Sequence, residues 1–181
     1  MNIQVKYIDT MEYIATVRYD DCESPAEWGN FNIVTFNPRW TTYKPLDDIT
    51  TESGKLTPAF QAKLKAGKVF WLDIYEHGGV SYRLSGEGMQ DRFDTTSRGG
   101  YIELFYEFKK GTKLEEKQDI ARQDLEEYTS WANGETYSVT IEDKAGNFVD
   151  SLGGIIGYNM VADTIHDMLP DAENVTVEED F

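Results

Sequence analysis

The chain opens on a strict alternation: Ile3, Val5 and Tyr7, then Met11, Tyr13, Ala15, Val17 and Tyr19, all share one parity. Successive side chains of an extended backbone point to opposite faces, so a period of two reads as strands that bury one side. Asp9-Thr10 either turns one strand into the next or bends a single long one. Further extended runs follow. Residues 31–36 are stopped by Asn37-Pro38, 68–75 read as a central strand, and Gly78-Gly79 sends 80–84 back as a hairpin. Residues 99–108 form an aromatic strand, and 135–142 with 148–152 make a hairpin around 143–147.

Three stretches read as helices. Thr57-Pro58 has the form of an N-cap with Pro at the first helical position, opening a short helix to Lys65 that Gly67 closes. Residues 113–132 give a long helix closed by Asn133-Gly134, and 159–169 a short one stopped by Pro170. Residues 20–25 and 41–56 read as loops. The elements predict an α+β fold, a mainly antiparallel sheet with one long and two short helices packed on one face or end. A single domain is expected over 1–169, followed by an acidic, mobile tail at 170–181.

Charge bounds the partners. With 33 Asp and Glu against 17 Lys and Arg, the formal charge is −16. Such a chain repels DNA, RNA and anionic lipid unless its cations are gathered, and a run such as Lys63, Lys65 and Lys68 is only three charges. No direct nucleic-acid binding and no membrane association are therefore expected; a basic protein surface is the electrostatic complement. At 40% hydrophobic and 13% aromatic residues the chain is too apolar for disorder. The lone Cys22 excludes an intrachain disulfide and a Cys-rich zinc site. The N-terminus lacks the pattern of a secretory signal, and no apolar run nears the roughly 20 residues that span a bilayer. A soluble, cytoplasmic protein is expected.

The carboxylates fall in two places. On the long helix, at about 100° per residue, Leu114, Ala121, Leu125, Tyr128 and Ala132 make one stripe, and Glu115, Glu116, Asp119, Glu126 and Glu127 lie across from it. The C-terminal stretch has no Lys or Arg after Lys144, yet carries Asp150, Asp163, Asp167, Asp171, Glu173, Glu178, Glu179 and Asp180. Local salt bridges cannot neutralise it. Solvated helix faces and solubility tails account for either region alone. Both on one small protein favour a partner-binding surface.

Other constellations are weaker. Asp73, Glu76 and His77 end the 68–75 strand, where a metal or acid–base site is conceivable, but the chain has only two His and nothing ties His166 to His77. Capping of the hairpin backbone by Asp73 and His77 is the preferred reading. Residues 92–97 lack nucleophile-elbow spacing, and Gly153-Gly154 with Gly157 lacks the Lys of a phosphate loop. Acids around Cys22 oppose a reactive thiolate. No cofactor, metal or catalytic residue is assigned. Tyr43, Tyr82, Tyr101 and Trp40 are the aromatics singled out as candidates for exposure at a protein-binding surface.

Four stretches carry a resemblance: Glu23-Ser24-Pro25-Ala26-Glu27-Trp28-Gly29-Asn30 leading to Phe36 and Arg39; Leu72-Asp73-Ile74-Tyr75-Glu76-His77-Gly78-Gly79-Val80; Phe93-Asp94-Thr95 with Gly99-Gly100-Tyr101-Ile102; and Tyr128 and Trp131 through Gly134-Glu135-Thr136-Tyr137 to Asp150-Ser151, Gly154 and Gly157. Together they resemble a family of small acidic accessory proteins carried by phages, prophages and plasmids, and the chain looks like a type II anti-CRISPR protein. The related pattern has Ser at Gly79 and Trp at Phe93, so no functional residue carries over. The resemblance implies an inhibitor, in a host bacterial cytoplasm, of an RNA-guided type II CRISPR effector nuclease, which holds nucleic acid in basic channels. Charge placement makes Glu115, Glu116, Asp119, Glu126 and Glu127 the expected contact face, with Asp163, Asp167, Asp171 and Glu173 in a second, steering region. The alternatives are a metal-dependent hydrolase or modifying enzyme using Asp73, His77 and Asp94, and a non-inhibitory phage or plasmid interaction protein. Oligomeric state is left open.

Overall fold

A computed structural model describes residues 2–6, 12–88, 91–143, 145–170 and 174–178. In chain order its elements are β1 (Asn2–Lys6), β2 (Glu12–Tyr19), β3 (Phe31–Thr35), α1 (Pro58–Lys65), β4 (Val69–Glu76), β5 (Val80–Leu84), β6 (Thr95–Leu104), α2 (Leu114–Ala132), β7 (Thr136–Asp143), β8 (Phe148–Ile156), α3 (Asn159–Met168) and β9 (Asn174–Glu178). Short 3-10 turns at Pro25–Trp28 and Leu46–Asp48 interrupt the two loops. The architecture is α+β, with two antiparallel sheets.

The chain divides into two compact units, residues 24–129, and residues 1–23 together with 130–181. The expected single domain, 1–169, therefore spans both. The division follows from strand pairing: β2 pairs with β7 and not with the strands that follow it, so the two ends of the chain build one sheet and the middle builds another.

In the terminal unit the order is β8-β7-β2-β1-β9. The opening alternation makes two strands, β1 and β2, paired antiparallel; the choice between turn and bend at Asp9-Thr10 concerns residues outside those described. Ala15 and Val17 face Ile141 and Val139 across the ladder and pack with Val161, Ile165 and Leu169 of the α3 segment. Residues 174–178, expected within the tail, form the edge strand β9, with Val175 opposite Val5 and Val177 opposite Ile3.

In the middle unit the order is β3-β6-β4-β5, with β4 interior as its apolar run implies. Thr57 caps α1, its hydroxyl accepting from Phe60 N–H at 3.3 Å. Phe60 then packs with Val34, Val69 and Tyr101. Across the sheet, Tyr128 of α2 meets Phe31 and Tyr82 edge to face, at 6.4 and 5.0 Å between ring centres. Tyr82 and Tyr101, singled out as candidates for exposure, are therefore core; Tyr43 is exposed and Trp40 half-buried. β6 begins and ends earlier than its aromatic run suggests, with one further bond, Phe105 N–H to the Asn30 carbonyl, beyond its last residue.

Candidate partner-binding surface

The helix α2 is made of strong helix formers with no Gly or Pro inside it, and Glu115 and Glu116 in its first turn complement the positive end of its dipole. Burial of Ala121, Leu125 and Tyr128 against the sheet turns the opposite flank outward. Glu115, Glu116, Asp119 and Glu126 are exposed there, as expected, while Glu127 is half-buried. Burial, together with the charge of Asp124, raises the Glu127 carboxyl above its ordinary range.

One cation organises this flank. Arg122 holds Asp119 at 2.5 Å and Glu87, from the segment after β5, at 2.8 Å. The guanidinium thus sits among carboxylates of its own chain, and Asp119 has a partner already. Glu115, Glu116 and Glu126 have no ion-pair partner among the described residues. On α3, Asp163 and Asp167 are exposed one turn apart, opposite buried Val161 and Ile165. Asp171 and Glu173 lie outside the described residues. The carboxylates of α2 belong to the middle unit and those of α3 to the terminal unit.

A residue that periodicity passed over is Asp124. It is only 7% exposed, its Oδ1 accepts from the Tyr106 hydroxyl at 2.7 Å, and its Oδ2 has no hydrogen bond among the described residues. Desolvation lifts its carboxyl above the usual carboxylate range, the Tyr106 bond opposing the shift. The signal was present in the sequence: position 124 stands one turn before Tyr128, on the border of the apolar stripe.

The acid–base constellation separates in space. Asp73 is 1% exposed, and its two oxygens accept from the backbone N–H groups of Gly86 and Arg98, each at 2.8 Å. These donors lie in the segment after β5 and in β6, not in the Gly78-Gly79 turn, the place expected for capping by Asp73 and His77. His77 pairs instead with Asp94, Nδ1 to Oδ2 at 3.1 Å, on the surface. The trio Asp73, His77 and Asp94 is thus split, with only the last two in contact. Among the described residues no group of three or more His, Cys, Asp or Glu side chains is placed to hold a metal ion. The Gly153-Gly154 segment has its own anion: Gly154 N–H donates to Asp20 Oδ2 at 2.9 Å, and a side chain at Gly153 would collide with that carboxylate. The nearby Cys22 carbonyl accepts from Trp131 Nε1 at 3.0 Å.

No family model, curated protein or solved structure matches the chain. No helix among the described residues is long and apolar enough to cross a membrane.

Proposed function

We propose that the protein is a stoichiometric inhibitor that docks through α2 on the basic, nucleic-acid-binding surface of a type II CRISPR effector nuclease and blocks target DNA binding or cleavage. The observation that supports this reading is the set of exposed carboxylates of Glu115, Glu116 and Glu126, without an ion-pair partner among the described residues, on a helix whose other side is fixed in a core. Preorganised charge needs no ordering on contact, and a carboxylate array on a cationic channel releases the counterions that DNA would otherwise displace. Asp119 is the weaker contributor, since Arg122 must be drawn off before it can bind another cation. Asp163 and Asp167 act at longer range and mainly speed association.

The test is inhibition by the triple variant Glu115→Lys, Glu116→Lys and Glu126→Lys. All three side chains are exposed, so the fold is retained, and binding to a guide-loaded effector weakens by about 10- to 100-fold. Undiminished inhibition by a folded triple variant contradicts the assignment of α2. Turnover in place of stoichiometric inhibition, lost in His77→Ala, would favour an enzyme.

A further inference from the structure

We infer that a pocket beside the irregular pairing of β4 with β6 binds a planar, single-ring anion, an aromatic or heteroaromatic ring bearing a carboxylate or a phosphate. The pairing runs to Leu72 opposite Gly100 and resumes at Ile74 opposite Thr96, so Asp73 alone stands against Ser97, Arg98 and Gly99. Extra residues of this kind bend a strand and re-aim a side chain. The extra stretch contains Arg98, an exposed residue whose φ of 50° makes it the one non-glycine residue of positive φ among those described. A Cβ is disfavoured in that region, and glycine would meet the backbone requirement without strain. The fold nevertheless places arginine there and holds its N–H with Asp73, a carboxylate withdrawn from solvent. Strain that the surroundings enforce in this way is a mark of a site.

The pocket has a volume of about 160 Å³, and Phe36, Trp40 and Ile74 give it an apolar wall beside Asn37, Thr96 and Arg98. A cavity of about 150 Å³ accommodates benzene, so the space suits one ring. Glu76 also lines it, but Arg39 holds that carboxylate at 3.3 Å. The Arg98 guanidinium has no ion-pair partner among the described residues, in a chain of charge −16. Aromatic walls take the faces of a ring, and the guanidinium takes two oxygens of its anionic substituent. This site is independent of the acids on α2, and the inference stands or falls without them.

The experiment titrates the full chain with benzoate, phenyl phosphate and, as a neutral control, benzyl alcohol, by calorimetry and by the indole N–H resonance of Trp40. At least one anion is expected to bind saturably and shift that resonance, with benzyl alcohol about tenfold weaker or more; the tighter anion identifies the acid group. Arg98→Gly is expected to lose about tenfold or more in affinity while raising the Tm by about 2–4 °C, because the strain is relieved. Absence of saturable binding by both anions, equal binding of benzyl alcohol, or unchanged affinity in Arg98→Gly would overturn the inference. So would a lower Tm in that variant.

Discussion

Asp73 and Asp124 are both carboxylates withdrawn from water, and their partners make them opposites. Two N–H groups meet Asp73, so its removal strands both donors; Asp73→Ala is expected to cost about 2–4 kcal/mol in urea denaturation. Asp124 has one oxygen without a partner among the described residues, and burial shifts its carboxyl upward. A carboxyl raised in the folded state gives its full stability below its ordinary value of 3.8, and loses it as pH rises through the folded value. Asp124→Asn keeps a hydrogen-bonding group facing Tyr106 and removes the buried charge. It is expected to stabilise the protein by about 1 kcal/mol at pH 7, with the gain shrinking toward pH 4. Urea melts of both proteins at the two pH values measure it. Neither role is legible in the sequence in full. The donors to Asp73 stand 13 and 25 residues away, and nothing local to either residue announces them.

Elements were more legible where the signal was local. Thr57-Pro58 names its own helix start, and Thr57→Ala is expected to cost about 1 kcal/mol through loss of the Phe60 N–H bond. The alternation of 12–19 reads directly as β2, and the polar–apolar division of 114–132 gives the outward flank of α2. One strand and the start of another were hidden for physical reasons. The start of β6, Thr95 to Arg98, is polar because it lies at the irregular pairing, and β9 carries its alternation in a stretch whose acids suggest a solvated tail. Long-range pairing decides both. Close approach is equally invisible in one dimension: a side chain at Gly100 would strike the Val34 carbonyl across the β3–β6 ladder, so Gly100→Ala is expected to lose about 2–4 kcal/mol of stability. On α3, Asp163→Lys with Asp167→Lys is expected to slow association several-fold and leave dissociation nearly unchanged, as a stopped-flow measurement at two salt concentrations would show.

At the scale of the whole molecule the excess of 33 acids over 17 bases is itself compatible with simple solubility. What argues for more is distribution. The flank of α2 leaves Glu115, Glu116 and Glu126 without an ion-pair partner among the described residues, while Arg122 gathers Asp119 and Glu87 beside them. On the proposed function, charge of that kind would act on affinity in a salt-dependent way, since contact with a cationic surface returns bound ions to solution. The most direct test measures the affinity of the full chain for a guide-loaded type II effector across a range of salt concentrations, beside the Glu115→Lys, Glu116→Lys, Glu126→Lys variant. Affinity that falls steeply with salt in the native chain, and is both weaker and less salt-dependent in the variant, is the predicted result; equal affinities and equal salt slopes for the two proteins would contradict it.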